Sequence, residues 1–491
     1  MGPEIFKYLL LFIFICVTFW LSWKGMQKAK SIKGFAIGNK DMSPILVGVT
    51  MASSVASTAT FLINPGFVYE HGLSAYIHFG VAATLGLISA LFLLTKKFRA
   101  SGDNLGSLTI PGWIYDRYQN RGMSLFFALT NLLTITFVVL ILVGSSILLS
   151  SQFPISQKTA LVVCLLFVFS YVLMGGVYAH AYTNAFQGVM MFIIAVFLFI
   201  YGMKYFDGGM LENLRSVSEN YAKPFNPDSS LYYSFFSGFA SGFIITFALM
   251  LQPHILTKVL YLKDDKQVST FLITTFVVFI GFTLMLFVGF YAKLAGLQAP
   301  RQDMVVAQFI HMEFHNGVIG PYIMSFITVT LLAAGLSTLD GILVALSAMA
   351  VNDIYHPFAK QDDSETYQKR GLMLSRIVLV AIGLVALALA WNPPELVGIF
   401  AQKGVYALAS ASLVPIFFGV MGPRNVNVYC IFICAIIGLL GHLYLNIFGG
   451  VANPAVSSSY AMMMSVGFYL LSAAYAHFTS KPSQVAVAAN D

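Results

Sequence analysis

The sequence predicts an all-α membrane protein with about thirteen transmembrane helices in a single domain. Three observations carry that expectation. Of 491 residues, 58% are hydrophobic and 10% charged, where a soluble globular chain carries about 25% charged residues. Apolar windows of about twenty residues, enough to cross a bilayer core as a helix, recur along the whole chain. The lysines and arginines between the windows crowd onto alternate loops.

The windows fall at 5–23, 44–67, 75–95, 122–150, 158–175, 181–204, 232–257, 269–293, 322–352, 372–392, 396–420, 425–447 and 458–478, numbered here as spans 1 to 13. Span 1, within "MGPEIFKYLLLFIFICVTFWLSW", runs into a lysine-rich loop without a small-residue cleavage site, so it reads as a retained span and not a signal peptide. Span 2 contains "MASSVASTATFLINPG" (51–66), a run of small and hydroxyl residues with poor helix propensity. Spans 3 to 6 are apolar and read as plain helices. Span 7 contains "SGFASGFIITFALMLQPHI" (237–255), with Gly238, Gly242 and Pro253. Spans 2 and 7 are thus the two breakable helices. They lie five apart and so run in opposite directions, as an inverted five-plus-five repeat with one broken helix per half requires. The halves are expected at 44–203 and 232–420, followed by two C-terminal helices within 425–478. The longest loops, about 205–231, 294–321 and 353–371, are short and mixed, so no soluble domain is expected.

Orientation follows from the basic residues. With the N-terminus outside and the C-terminus in the cytoplasm, nineteen of twenty-seven fall at or near the inner side, among them Lys24, Lys30, Lys33, Lys96, Lys97, Arg117, Lys258, Lys263, Lys360, Arg424 and Lys481. The outer side receives seven, such as Lys158, Lys204 and Arg215. The net charge of +7 is therefore a topology signal for a multi-pass protein of the cell (inner) membrane, with lipid as its surroundings and no nucleic-acid partner. No obligatory protein partner is evident. The cysteines Cys16, Cys164, Cys430 and Cys434 all lie in apolar segments. Cys430 and Cys434 share a helix face, but no further ligand clusters with them, so they read as packing residues.

Two ionisable residues stand inside spans in this census: Lys403 in span 11 and Asp340 in span 9, within "LLAAGLSTLDGILVAL". A carboxylate at the bilayer centre costs at least ~2.5 kcal/mol on insertion scales, so both mark candidate functional sites. Where span 2 unwinds, freed carbonyls can hold a bare cation, and Ser337 with Thr338 can add hydroxyls; back-bonding of those hydroxyls to their own helix is the alternative. At about 100° per residue, Asp340 lies about 60° from Ser337 and about 160° from Thr338. It reads as a second cation ligand, a proton acceptor or a structural carboxyl. Lys403, beside Gln402 and roughly 10 Å along the helix axis from the outer end of its span, either snorkels to the surface or attracts an anion. There is no Walker loop, HExxH or GxSxG, so neither an enzyme nor an ATP-driven pump is expected. His78, His180 and His254 are scattered and read as hydrogen-bonded packing residues.

Several stretches resemble the solute:sodium symporter family. "SLTIPGWIYDRY" (107–118) is similar to its TIP/TVP inner-loop motif, and "GGVYAHAYTNAFQGVMM" (175–191) to GGxxAVxWTDxxQ. "QPHILTKVLYLKD" (252–264) resembles QPHIxxRxxxxKD, and "LLAAGLSTLDGILVALSAMAVNDIY" (331–355) resembles AAxMSTxxSxLLxxSSxxxxDxY. "AWNPPELV" (390–397) is similar to the proline, pantothenate and monocarboxylate branch. Together the matches run in order over about four-fifths of the chain.

The resemblance implies a LeuT-like core in spans 2–11 and sodium-driven alternating access. It implies a sodium held by the carbonyls of Ser53, Ala56 and Ala334 and the hydroxyls of Ser337 and Thr338. Asn184 stands where the family's WTD motif has aspartate, and Asp340 and Gly341 stand where members coupling a second sodium place hydroxyls. Asp340 and Asn184 are thus read as an exchanged pair that keeps one negative charge in that pocket, for a cation, a proton or neither. By the same resemblance the solute site draws on Thr60, Phe61, Thr246, Leu249, Gln402 and Lys403. A mostly apolar lining with one cation suits a small organic anion or zwitterion better than a sugar. The expectation is a sodium-coupled symporter importing such a solute. A membrane sensor domain and a proton-coupled symporter using Asp340 are the alternatives.

Overall fold

The computed structural model describes residues 1–28, 39–105, 109–355, 365–422 and 427–479. Lys30, Lys33, Lys360, Arg424 and Lys481 of the loop census lie outside them. The described chain is helical throughout, without a strand. Among the described residues, nine helices are long and apolar enough to cross a membrane, or eleven with each of two bent pairs taken as one span. Gln157–Leu173 and Pro454–Thr479 fall at expected spans 5 and 13, and thirteen is reached only by counting them.

The two bent pairs are the breaks expected in spans 2 and 7. Pro44–Val55 and Ala59–His71 meet at 56°, and Phe236–Leu249 and Pro253–Tyr261 at 66°. In span 2 the chain leaves the helix at Ala56, whose ψ of 91° is extended. The Ser57 hydroxyl then accepts from Ala59 N–H at 3.1 Å and starts the second half. In span 7 Gln252 is extended at ψ 146°, and Pro253 opens the second half, where its missing N–H costs nothing. Both breaks are local chemistry: hydroxyls that compete with the helix ladder in one and proline in the other.

Span 9, Gly320–Tyr355, is the central post. Every residue from Ile327 to Leu343 is buried, and the helix packs against spans 1, 4, 6 and 10 and the first half of span 2. Small residues permit this. A Cβ on Gly335 would stand 2.7 Å from both Ser145 Oγ and Thr58 Oγ1, so spans 2 and 4 approach its backbone directly. Gly242 of span 7 meets His78 of span 3 in the same way, at 2.9 Å. Large apolar side chains such as Phe12, Phe92, Leu166, Ile200, Ile273 and Leu440 point outward. On a membrane helix they face lipid and need no further partner. Five π-helical stretches interrupt the α-helical hydrogen bonding of spans 2, 3, 7, 9 and 11: Ala59–Ile63, Ile77–Ala82, Phe236–Ala240, Ala350–Tyr355 and Leu413–Phe418.

Outside the spans, the helix Val305–Phe314 is pinned to the end of span 6 through Glu313. Its carboxylate accepts from Tyr201 at 2.8 Å, from Lys204 at 2.5 Å and from Tyr205. Burial pushes the Glu313 carboxyl up, but these donors outweigh it and hold the group below the ordinary glutamate range. A carboxyl held down in the folded state stabilises the fold above its unfolded pKa, about 4.3, and that contribution fades as pH falls through the lower folded value. Thermal unfolding of wild type and Glu313→Gln across pH should therefore show a wild-type advantage at pH 7 that shrinks below about pH 4.3.

Candidate ion and solute site

The break in span 2 faces the middle of span 9. The Ser337 hydroxyl lies 3.1 Å from the carbonyl of Ser53 and 2.8 Å from that of Ala334. The Thr338 hydroxyl lies 3.3 Å from the carbonyl of Ser54. Ala56 is the residue at which the backbone leaves the helix. Neutral oxygens thus converge from two helices where one helix is unwound. That donor set fits a bare monovalent cation. Ser337 also back-bonds within its own helix, which is the alternative expected for this hydroxyl.

Asp340 turns away from that cluster. Its Oδ1 lies 3.0 Å from His180 Nδ1 and accepts from Gly341 N–H at 2.7 Å. Its Oδ2 accepts from Tyr171 at 3.4 Å. Asn184 donates to the carbonyl of Ser337 at 2.8 Å and to the hydroxyl of Ser54 at 3.0 Å. The amide also reaches His180 Nε2 at 3.4 Å. With Nδ1 protonated toward the carboxylate, Nε2 is left to accept from Asn184, so His180 links the two polar groups. Gly341 makes room for the ring, because a Cβ there would lie 2.9 Å from His180 Cε1. His180 is therefore the partner of Asp340 and not a bystander. Its four-residue spacing from Asn184 on span 6, which places both on one helix face, was the available signal.

Beside the break lies a cavity of about 130 Å³. Of the expected solute residues, Thr60, Thr246, Leu249 and Gln402 line it, together with Ser54, Ser57, Asn64, Gln252 and His254. Two expected residues are placed elsewhere. Phe61 is fully buried and packs edge-on against Phe282, with ring centroids 5.4 Å apart. Lys403 is outside the cavity wall, since one residue along a helix turns the side chain about 100° from Gln402. Its carbonyl accepts from His442 of span 12 at 3.0 Å. The cavity wall therefore carries neutral polar groups, and the cation expected from Lys403 is not in it. Spacing along the sequence could not reveal Asn64, which follows the π-helical stretch Ala59–Ile63, or Gln252, which sits at the break of span 7.

The lysine census needs a second correction. Lys258, assigned to an inner loop by its basic neighbours, is fully buried in the second half of span 7.

The fold is that of a polytopic membrane protein with two broken helices beside a central cavity. A model of the sodium:solute symporter family matches residues 35–438. The sodium/pantothenate symporter of Escherichia coli (strain K12) is 24% identical over 399 residues, 78% of this chain and 79% of that protein. That of Haemophilus influenzae (strain ATCC 51907 / DSM 11121 / KW20 / Rd) is 26% identical over 436 residues, 86% of each. The sodium/proline symporter of Staphylococcus aureus (strain Newman) is 24% identical over 404 residues, covering 79% of this chain and 76% of that protein. Among solved structures, a Na+-coupled sialic acid symporter in a substrate-bound outward-open state superposes with a TM-score of 0.78 at 18% identity, over 96% of this chain and 97% of that one. MHP1, a nucleobase-cation-symport-1 family transporter, gives 0.53 at 11% identity, over 90% and 95%. These neighbours share the LeuT-like fold. The chain belongs to the sodium:solute symporter family, and sodium is its coupling ion.

Removing one member of a buried hydrogen-bonded pair strands the other, at a cost of about 1–3 kcal/mol. His180→Ala and Asp340→Asn should each lower the thermal unfolding temperature in detergent. The double variant should lose less than the sum, with a coupling of about 1–3 kcal/mol.

Proposed function

We propose that the chain imports a small organic carboxylate or zwitterion across the cell (inner) membrane by alternating access, with the N-terminus outside and the C-terminus in the cytoplasm. The inverted halves are 44–203 and 232–420. One sodium is held by the carbonyls of Ser53, Ala56 and Ala334 and the hydroxyls of Ser337 and Thr338. The observation that carries this reading is the approach of Ser337 and Thr338 to the carbonyls of Ser53 and Ser54. Ser54 also lines the solute cavity. An ion that pulls these oxygens together fixes the angle of the broken helix, and with it one wall of the cavity. Coupling then needs no direct contact between ion and solute.

The solute is bound by neutral donors at Asn64, Gln252 and Gln402, with Thr60, Thr246 and Leu249 completing the contact. Neutral amides suit a carboxylate that must be released again more readily than a fixed cation does. The relatives' solutes, pantothenate and proline, both carry a carboxylate. Asp340, Asn184 and Gly341, with His180, form a polar pocket next to the sodium oxygens. Asp340→Asn tests a coupling role there: unchanged sodium and pH dependence of uptake would exclude one.

Two experiments test the reading. Sodium titration of thermal stability should show the half-maximal sodium concentration rising about tenfold or more in Ser337→Ala/Thr338→Ala, each lost ligand being worth roughly 1 kcal/mol. Sodium-driven uptake of a panel of carboxylates and amino acids into proteoliposomes should be found in wild type. For the accepted solute, Gln402→Ala should raise the half-saturating concentration at least about fivefold, while Lys403→Gln leaves it unchanged. An effect of Lys403→Gln alone returns the solute to that lysine.

A further inference from the structure

A second cavity, of about 60 Å³, adjoins the first. His254 lines both. The second is walled by His180 of span 6, by Thr257, Lys258 and Tyr261 of span 7, and by Gly341 to Met349 of span 9, with Thr109 at its edge. Tyr261 and Met349 stand at the span ends that lead into the basic loops, the side assigned to the cytoplasm.

Lys258 is the one lysine, arginine, aspartate or glutamate in the wall. It is 1% exposed, and among the described residues its ammonium donates to one acceptor, the carbonyl of His254 one turn back. An ammonium has three N–H groups, so two remain without a protein acceptor. The nearby carboxylates leave that capacity unmet. Asp340 lies behind the wall and is engaged by His180, Tyr171 and Gly341. Asp353 also lies behind it, and accepts from Thr109 at 2.8 Å. A buried cation with open donors is costly unless an acceptor enters. The space holds several water molecules or one carboxylate group.

We propose that this cavity is an anion-binding site on the cytoplasmic side, in which Lys258 receives the solute's carboxylate as it leaves the central cavity past His254. The proposal rests on the carboxylate reading above for its ligand. It assigns the cationic partner of the solute to the release path, whereas the central cavity holds the solute with neutral groups only. Ala345 and Ala348 of span 9 present small side chains to the cavity.

The test uses the full chain with cysteine at Ala348, in inside-out membrane vesicles. The labelling rates with 2-sulfonatoethyl and 2-(trimethylammonium)ethyl methanethiosulfonate are compared, each divided by its rate with a free thiol. Protein without the added cysteine gives the background of the native thiols. The expected result is a preference of about tenfold for the anionic reagent, as field focusing in a low-dielectric cleft produces. Lys258→Arg should keep that preference, and Lys258→Gln and Lys258→Met should abolish it. Retained sodium-dependent thermal stabilisation identifies the variants that have folded. No preference, a preference indifferent to Lys258→Gln and Lys258→Met, or no labelling by either reagent overturns the proposal. Labelling does not measure uptake, so sodium-driven uptake of pantothenate or proline by the parent protein is scored separately. Uptake without a labelling preference rejects this site alone, whereas a labelling preference in a protein that takes up no carboxylate supports the site and rejects the solute reading.

Discussion

In a bilayer core each backbone carbonyl needs a partner inside the protein, and the architecture follows from how two helices break that rule. Spans 2 and 7 unwind at mid-length, and carbonyls freed there have no water to fall back on. Span 9 supplies hydroxyls to the break in span 2, and Asn184 of span 6 binds the carbonyl of Ser337 and the hydroxyl of Ser54. The small residues along span 9 let the broken helix come close enough for those contacts. The converging hydroxyls and carbonyls, the central cavity and the Asp340 pocket all adjoin the same unwound turn because that is where polar groups must gather.

Much of this was legible before any coordinates. Apolar windows and the crowding of lysines located the spans, because length and insertion cost are properties of local sequence. The breaks were legible too, since serine, threonine, glycine and proline act on the backbone within a few residues. The hydroxyl pair at Ser337 and Thr338 was visible for the same reason.

What escaped depends on rotation and on bends. Gln402 and Lys403 are neighbours in sequence, yet one faces the cavity and the other turns to another side of its helix. Lys258 sits among Lys263, Asp264, Asp265 and Lys266, and a hydropathy window averages it into a polar loop. The bend at Pro253 and the 3₁₀ stretch from Thr257 bring it back under the core. His180 was underrated because a lone histidine carries no signal until its partner on another helix is known. The reading of Asn184 and Asp340 as an exchanged pair came only from the family motif. That the charge ends on a histidine bond is a matter of packing around Gly341.

The π-helical stretches acquire a meaning beside this. Each holds one more residue than an α-helical turn of the same rise, a small reserve of chain stored within a span. Four of the five lie in spans 2, 7, 9 and 11, the helices that line the central cavity or meet at the unwound turn. A helix that takes up its spare residue rotates everything beyond it by about 100° while its far end barely moves. Such a span can swing a side chain from one cavity to the next without pulling on the loops that join it to its neighbours.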